Sequence, residues 1–231
     1  MSRLRALAAL LPLALLLLPA PTVARAAAGD WPQYLHDAQR TAANPDETAL
    51  STANASKLVP LWSVATGGPI AAGATVVGGT AYFGSWDGNE YAVDAATGAV
   101  RWKTFLGITK APSCFPPVAG VTSTATVQNG TVYVGGGDSN WYALDANTGT
   151  VLWSIFTGDN SVTGGHYNWS SPLLFNGFAY IGVASFGDCP LVPGQLLKVD
   201  LSTHQVVATF NAVAAGQVGG GIWTSPSLDV T

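Results

Sequence analysis

Twelve residues running from Tyr91 to Trp102, YAVDAATGAVRW, return without a gap from Tyr142 to Trp153 as YALDANTGTVLW. Asp94 and Asp145, the matching turn residues, are 51 positions apart. Each copy is an apolar strand, an Asp-x-x-Thr-Gly turn and a second apolar strand that closes on tryptophan. A unit of this size cannot bury its own faces, so it must stack against further copies of itself. Four short antiparallel strands per unit, repeated about an axis, make a β-propeller blade.

Alternation of apolar and polar residues between turn dipeptides predicts the strands of each unit. The first spans 70–77, 81–84, 90–94 and 99–105; the second spans 121–127, 131–135, 141–145 and 150–156. The third spans 169–175, 178–183, 196–200 and 205–210. Asn129-Gly130 and Asn176-Gly177 suit tight hairpins, in which both central residues take positive φ. The third unit has drifted: Thr203-His204 replaces Thr-Gly, and Ala208 stands at the tryptophan position. Residues 58–64 match an outer strand through Trp62, and 222–229 open a fourth blade. The expected fold is all-β: a β-propeller of four-stranded antiparallel blades, with three full blades, partial blades and an incomplete ring. Native sheets avoid unpaired edges. The chain is therefore expected to be the N-terminal part of a longer product whose C-terminal blades complete the ring. A small protein closing by self-association is the alternative.

Arg3 and Arg5 precede an apolar run at 6–18, with small residues at Ala24-Arg25-Ala26, so 1–28 is expected to be a signal peptide. Pro12, Pro19 and Pro21 interrupt the run, which argues against a stable membrane anchor. An N-terminal extension (29–57) and the repeats (58–231) follow, and the product is expected to be secreted or periplasmic. With a net charge of −4 and no basic cluster, nothing points to nucleic acid. In an exported chain Cys114 and Cys189 are expected to form a disulfide. By chain entropy, closing that loop is worth about 4 kcal/mol. Two free thiols remain the alternative.

The connections inside each hairpin are minimal, whereas 106–120, 157–168, 185–195 and 211–221 are long. In a propeller these two sets lie on opposite faces, and binding favours the elaborated one. Both cysteines fall there. His166 is a candidate general base or partner for a cofactor carbonyl, or an imidazole satisfied by backbone. Asp188 is the candidate carboxylate. Trp169 and Trp223 begin equivalent inner strands, where they could floor a planar cofactor or plug the channel. Asp87, Asn89, Asp138 and Asn140 could bind calcium or cap their own turns.

The repeated Tyr-Ala-x-Asp-Ala-x-Thr-Gly-x-Val-x-Trp resembles the tryptophan-docking repeat of the pyrroloquinoline-quinone-like (PQQ-like) β-propellers. The resemblance implies that Trp62, Trp102 and Trp153 are structural, each docking on the turn of the next blade. Residues 31–41 (WPQYLHDAQRT) and 84–89 (GSWDGN) are similar to quinoprotein dehydrogenases of the polyvinyl-alcohol-oxidising type. This implies PQQ and calcium as cofactors, a small alcohol or polymer as substrate, and an exported PQQ-dependent alcohol dehydrogenase as the full-length product. The 231-residue chain alone is expected to be inactive, because an incomplete ring cannot enclose an axial cofactor. The resemblance assigns neither the catalytic base nor the metal ligands, and the adjacent cysteine pair and haem motif of some members are absent. The competing expectation is a non-enzymatic scaffold that binds a protein, polymer or carbohydrate. A lipid-anchored scaffold for outer-membrane assembly is disfavoured, since no cysteine follows the apolar run.

Overall fold

The computed structural model describes residues 29–229, so the expected signal peptide at 1–28 lies outside the described residues. Three antiparallel four-stranded units follow one another along the chain. The first is β1 (Thr75–Val77), β2 (Thr80–Gly84), β3 (Asn89–Asp94) and β4 (Val100–Phe105), hydrogen-bonded in that order. A small hairpin, β5 (Thr109–Lys110) and β6 (Val118–Ala119), occupies the next loop. The second unit is β7 (Thr126–Gln128), β8 (Thr131–Gly135), β9 (Asn140–Asp145) and β10 (Val151–Phe156). Then β11 (His166–Tyr167) pairs with the far end of a strand in the third unit. That unit is β12 (Leu173–Phe175), β13 (Phe178–Ser185), β14 (Gln195–Asp200) and β15 (Gln205–Asn211). The one helical element among the described residues is a 3-10 turn, Ala55–Lys57, and no helix there is long and apolar enough to cross a membrane.

The second blade is packed between two neighbours and is apolar on both faces, and the first is covered on its other side by the segment that carries Trp62. On β3, Tyr91 and Val93 join Phe83 and Trp62 on one side, while Ala92 joins Trp102, Val132 and Leu144 on the other. The far face of the second blade, carrying Trp141 and Ile155, packs on Ala179, Ile181, Val183 and Leu197.

The repeated turn explains how blades dock. The Asp94 carboxylate accepts from the Ala96 N–H (3.0 Å), the Thr97 N–H (2.9 Å) and the Thr97 hydroxyl (3.0 Å). Asp145 holds Asn147 and Thr148 in the same way. This capping flattens the turn and turns a carbonyl toward the preceding blade. Trp62 Nε1 donates to the Ala95 carbonyl and Trp102 Nε1 to the Ala146 carbonyl, both at 2.9 Å. In the drifted third unit the His204 ring takes the place of the glycine and stacks on Trp153 at 4.5 Å.

Gly149, at φ +72°, leaves room for the indole: a Cβ there would stand 2.6 Å from Trp102 Cε3. Gly130 has a similar φ of +76° but open space around it. Gly149→Ala is expected to cost about 2 kcal/mol, combining left-handed strain with overpacking, and Gly130→Ala about 1 kcal/mol from strain alone. Urea denaturation of the two variants checks this; equal losses would refute close docking at Gly149.

The inner strands are shorter than the sequence pattern predicts: β1, β7 and β12 cover 75–77, 126–128 and 173–175 rather than 70–77, 121–127 and 169–175. Their upstream halves bond to hydroxyl and carbonyl oxygens of the neighbouring blade instead of a ladder; the Thr124 N–H, for example, donates to Ser171 Oγ, and Thr122 Oγ1 to the Asn168 carbonyl. Residues 58–64 likewise form no strand, because an outer strand needs the third strand of its own blade and the described residues offer none there. Residues 222–229 carry no ladder either, although the Ile222 N–H reaches the Val183 carbonyl at 3.2 Å. Cys114 and Cys189 are bonded, with Cα atoms 5.5 Å apart, and they join two long loops.

Candidate functional site

The segments that lead into successive inner strands line an open cavity of about 570 Å³. Ala71, Thr122, Trp169 and Trp223, at matching positions ahead of the inner strands, line it, and so do Gly73, Thr124, Ser171 and Ser225 two residues further along each segment. Tyr34, Leu35, Gln39 and Arg40 of the N-terminal extension line the cavity as well.

The second set forms a relay of hydroxyls. The Gly73 N–H donates to Thr124 Oγ1 (2.9 Å), the Thr124 N–H to Ser171 Oγ (2.9 Å), and the Ser171 N–H to Ser225 Oγ (3.0 Å). Deeper in, Thr75 Oγ1 donates to the Ala125 carbonyl and Thr126 Oγ1 to the Pro172 carbonyl. A hydroxyl offers one donor and two lone pairs. Thr124, Ser171 and Ser225 each use a lone pair to accept from the neighbouring segment.

Trp169 is anchored: its Nε1 donates to the Ser185 carbonyl at 3.0 Å, and its ring packs on Tyr167 and Phe186. Trp223 is 66% exposed. Among the described residues, the lining contains no carboxylate, no imidazole and a single cation. That cation is Arg40, which burial pulls down to about 10 against the opposing pull of Asp37 and Tyr34, so it stays charged at neutral pH.

The structure brings Trp169 and Trp223 to one cavity but places His166 and Asp188 outside its lining. His166 sits on β11 with Nδ1 3.2 Å from the Asp159 carbonyl. Asp188 is exposed beside the disulfide at a φ of +56°. Asp87 and Asp138 cap their turns: Asp87 accepts from the Asn89 N–H and the Tyr91 hydroxyl, and Asp138 from the Asn140 N–H and the Tyr142 hydroxyl. No group of three or more His, Cys, Asp or Glu among the described residues could hold a metal ion. The hydroxyl relay escaped sequence reasoning, although its signal is there in Thr122, Thr124 and Thr126 and in the paired Trp-Ser-Ser-Pro and Trp-Thr-Ser-Pro segments.

The family model described as outer membrane protein assembly factor BamB matches residues 59–208. The chain is 27% identical over 204 residues to the polyvinylalcohol dehydrogenase of Sphingopyxis sp. (strain 113P3), covering 78% of this chain and 30% of that protein. It is 30% identical over 118 residues to the dehydrogenase subunit of the quinone alcohol dehydrogenase of Komagataeibacter europaeus, covering 45% and 15%. A europium-containing methanol dehydrogenase superposes with a TM-score of 0.66 at 26% identity, over 80% of this chain and 32% of its own. The quinohemoprotein alcohol dehydrogenase of Comamonas testosteroni gives 0.66 at 25%, over 81% and 28%. The chain thus spans less than a third of the length of these relatives.

Proposed function

Because this chain belongs to the PQQ-like propeller-repeat family, we propose that it supplies blades to an exported, PQQ-dependent alcohol dehydrogenase whose ring is completed by further blades of the same product. The observation that carries this reading is the convergence of two tryptophans and the Thr124, Ser171 and Ser225 hydroxyls on one cavity. PQQ is a planar quinone with three carboxyl groups. Indole faces suit its ring, hydroxyl donors suit its carbonyl and carboxylate oxygens, and the positive charge of Arg40 favours its anionic form. Calcium fits less well, since a hard cation needs several oxygen ligands and the lining has no carboxylate among the described residues.

In this arrangement Trp169 and Trp223 bind and orient the ring, and Thr124, Ser171 and Ser225 fix its polar edge. The N-terminal extension excludes water from the end of the cavity it lines. When bound, the quinone supplies the two-electron redox chemistry, while the protein provides binding and orientation. The base that takes the substrate proton, and any metal ligands, would come from the completing blades.

Titration with PQQ, followed by tryptophan fluorescence with and without calcium, tests this. Saturable quenching is expected, weakened at least tenfold by Trp223→Ala, and the calcium dependence of this chain should be slight. If PQQ does not quench, or if Trp223→Ala binds as tightly as the parent, the proposal fails and a binding scaffold becomes the better account. Dye-linked alcohol oxidation is expected only from the completed ring.

A further inference from the structure

We infer that residues 30–40 act as an axial clasp: a segment outside the repeats that fills, in cis, a peptide-binding groove built by the inner edges of three blades and by residues 222–229, with Arg40 as its anchor.

The contacts step from blade to blade. Asp30 accepts from the Gly78 N–H at 3.0 Å, and Trp31 exchanges two backbone hydrogen bonds with Val76 (2.7 and 3.0 Å) on the open edge of β1. The next carbonyl, that of Pro32, accepts from the Val127 N–H of the second blade at 2.8 Å. At the other end, the Ala38 carbonyl accepts from Leu228 at 2.8 Å. Arg40 then joins the remaining pair: Nη2 donates to the Pro172 carbonyl (3.1 Å) and Nε to the Pro226 carbonyl (3.0 Å). These carbonyls lie three residues beyond Trp169 and Trp223. One guanidinium therefore spans the strands that present both indoles. Its Nη1 folds back onto the Tyr34 carbonyl (2.6 Å) and Gln33 Oε1 (3.2 Å), so the anchor also shapes its own segment.

Two physical points give this arrangement weight. Strand addition to an open edge is a general mode of peptide recognition, in which main-chain bonds supply affinity and side chains supply register. In repeat architectures each unit contacts only its neighbours. The clasp breaks that rule by linking the first blade to the residues that open the fourth. A planar fork suits two carbonyls on separate strands, and an ammonium cannot reproduce that geometry.

The inference does not depend on the cofactor reading, and its test uses no cofactor. A protease site placed within the exposed stretch 48–53 allows the full chain to be nicked after folding. The N-terminal fragment is expected to remain with the blades through gel filtration. A labelled 30–42 peptide should exchange into the nicked protein saturably, with the Arg40→Ala peptide at least tenfold weaker and Arg40→Lys between the two. In the intact chain, hydrogen exchange at the Val127 and Leu228 amides should speed up at least tenfold in Arg40→Lys, while the β8–β9 ladder stays protected. Loss of the fragment on nicking, equal competition by the Arg40→Ala peptide, or unchanged exchange at both amides would each overturn the clasp.

Discussion

Trp102→Ala is expected to remove about 3–5 kcal/mol of stability, the range for deleting a large buried aromatic. Trp102 is 9% exposed and lies between the first two blades. Its ring contacts Tyr82 at 5.9 Å, and its Nε1 donates to the Ala146 carbonyl. That carbonyl also accepts from the Tyr82 hydroxyl at 3.2 Å, and Thr104 Oγ1 reaches the Gly149 carbonyl at 2.7 Å. Truncation therefore opens a cavity and loosens a joint made of several polar contacts. Trp102→Phe keeps much of the apolar area and loses the hydrogen bond, so its cost should be nearer 1–2 kcal/mol. Chemical denaturation monitored by near-UV circular dichroism measures both. An alanine variant within 1 kcal/mol of the parent would show that the indole is not what holds these blades together.

Glu90→Leu is expected to act in the opposite direction, stabilising the fold by on the order of 3 kcal/mol at pH 8. Glu90 is fully buried between the first two blades, and neither carboxyl oxygen has a hydrogen-bond partner among the described residues. Burial pushes the carboxyl well above its ordinary range, so folding favours its protonated form. The unfolded chain releases that proton above about pH 4.3. The native state then binds more protons than the unfolded state, and stability falls as pH rises toward the folded value, by about 1.4 kcal/mol per pH unit. Below the unfolded value the effect vanishes. Glu90 faces Gly84 and Thr104 across its ladders, and the matching slot holds Trp141 in the second blade and Leu196 in the third. Leucine is thus already accepted at this position of the repeat. Parallel pH–stability curves decide the matter: identical slopes for parent and Glu90→Leu between pH 5 and 8 would show that the carboxyl finds a partner in solution.

The blades are legible in the sequence because the repeat fixes turn chemistry locally: Asp94 and Asp145 cap their own turns, and Trp62 and Trp102 donate to the carbonyls of those turns. Where partners lie far along the chain, the pattern was silent. Arg40 is bonded across 186 residues to Pro226 and across 132 to Pro172, distances that no local periodicity encodes. The inner strands read as longer than they are because Thr122 and Thr124 alternate as ladder residues would, while their bonding goes sideways to the next blade. Glu90 sits at a position where polarity normally signals solvent, and only its neighbours reveal that it is sealed in. Residue type alone marks His166 and Asp188, yet β11 and the disulfide loop hold them away from the lining that Trp169 and Trp223 share.

The hydroxyl joints between inner strands bear on how such a protein can change over evolutionary time. A continuous sheet would have to be rebuilt whenever a module was gained or lost. Here the seam beside the axis takes one hydroxyl and one amide from each pair of neighbours, next to the hydroxyl–carbonyl bonds and docked indoles that the repeat itself carries. A duplicated module therefore brings with it the groups its joints need. Ring size is then open to selection with little disturbance to the modules themselves.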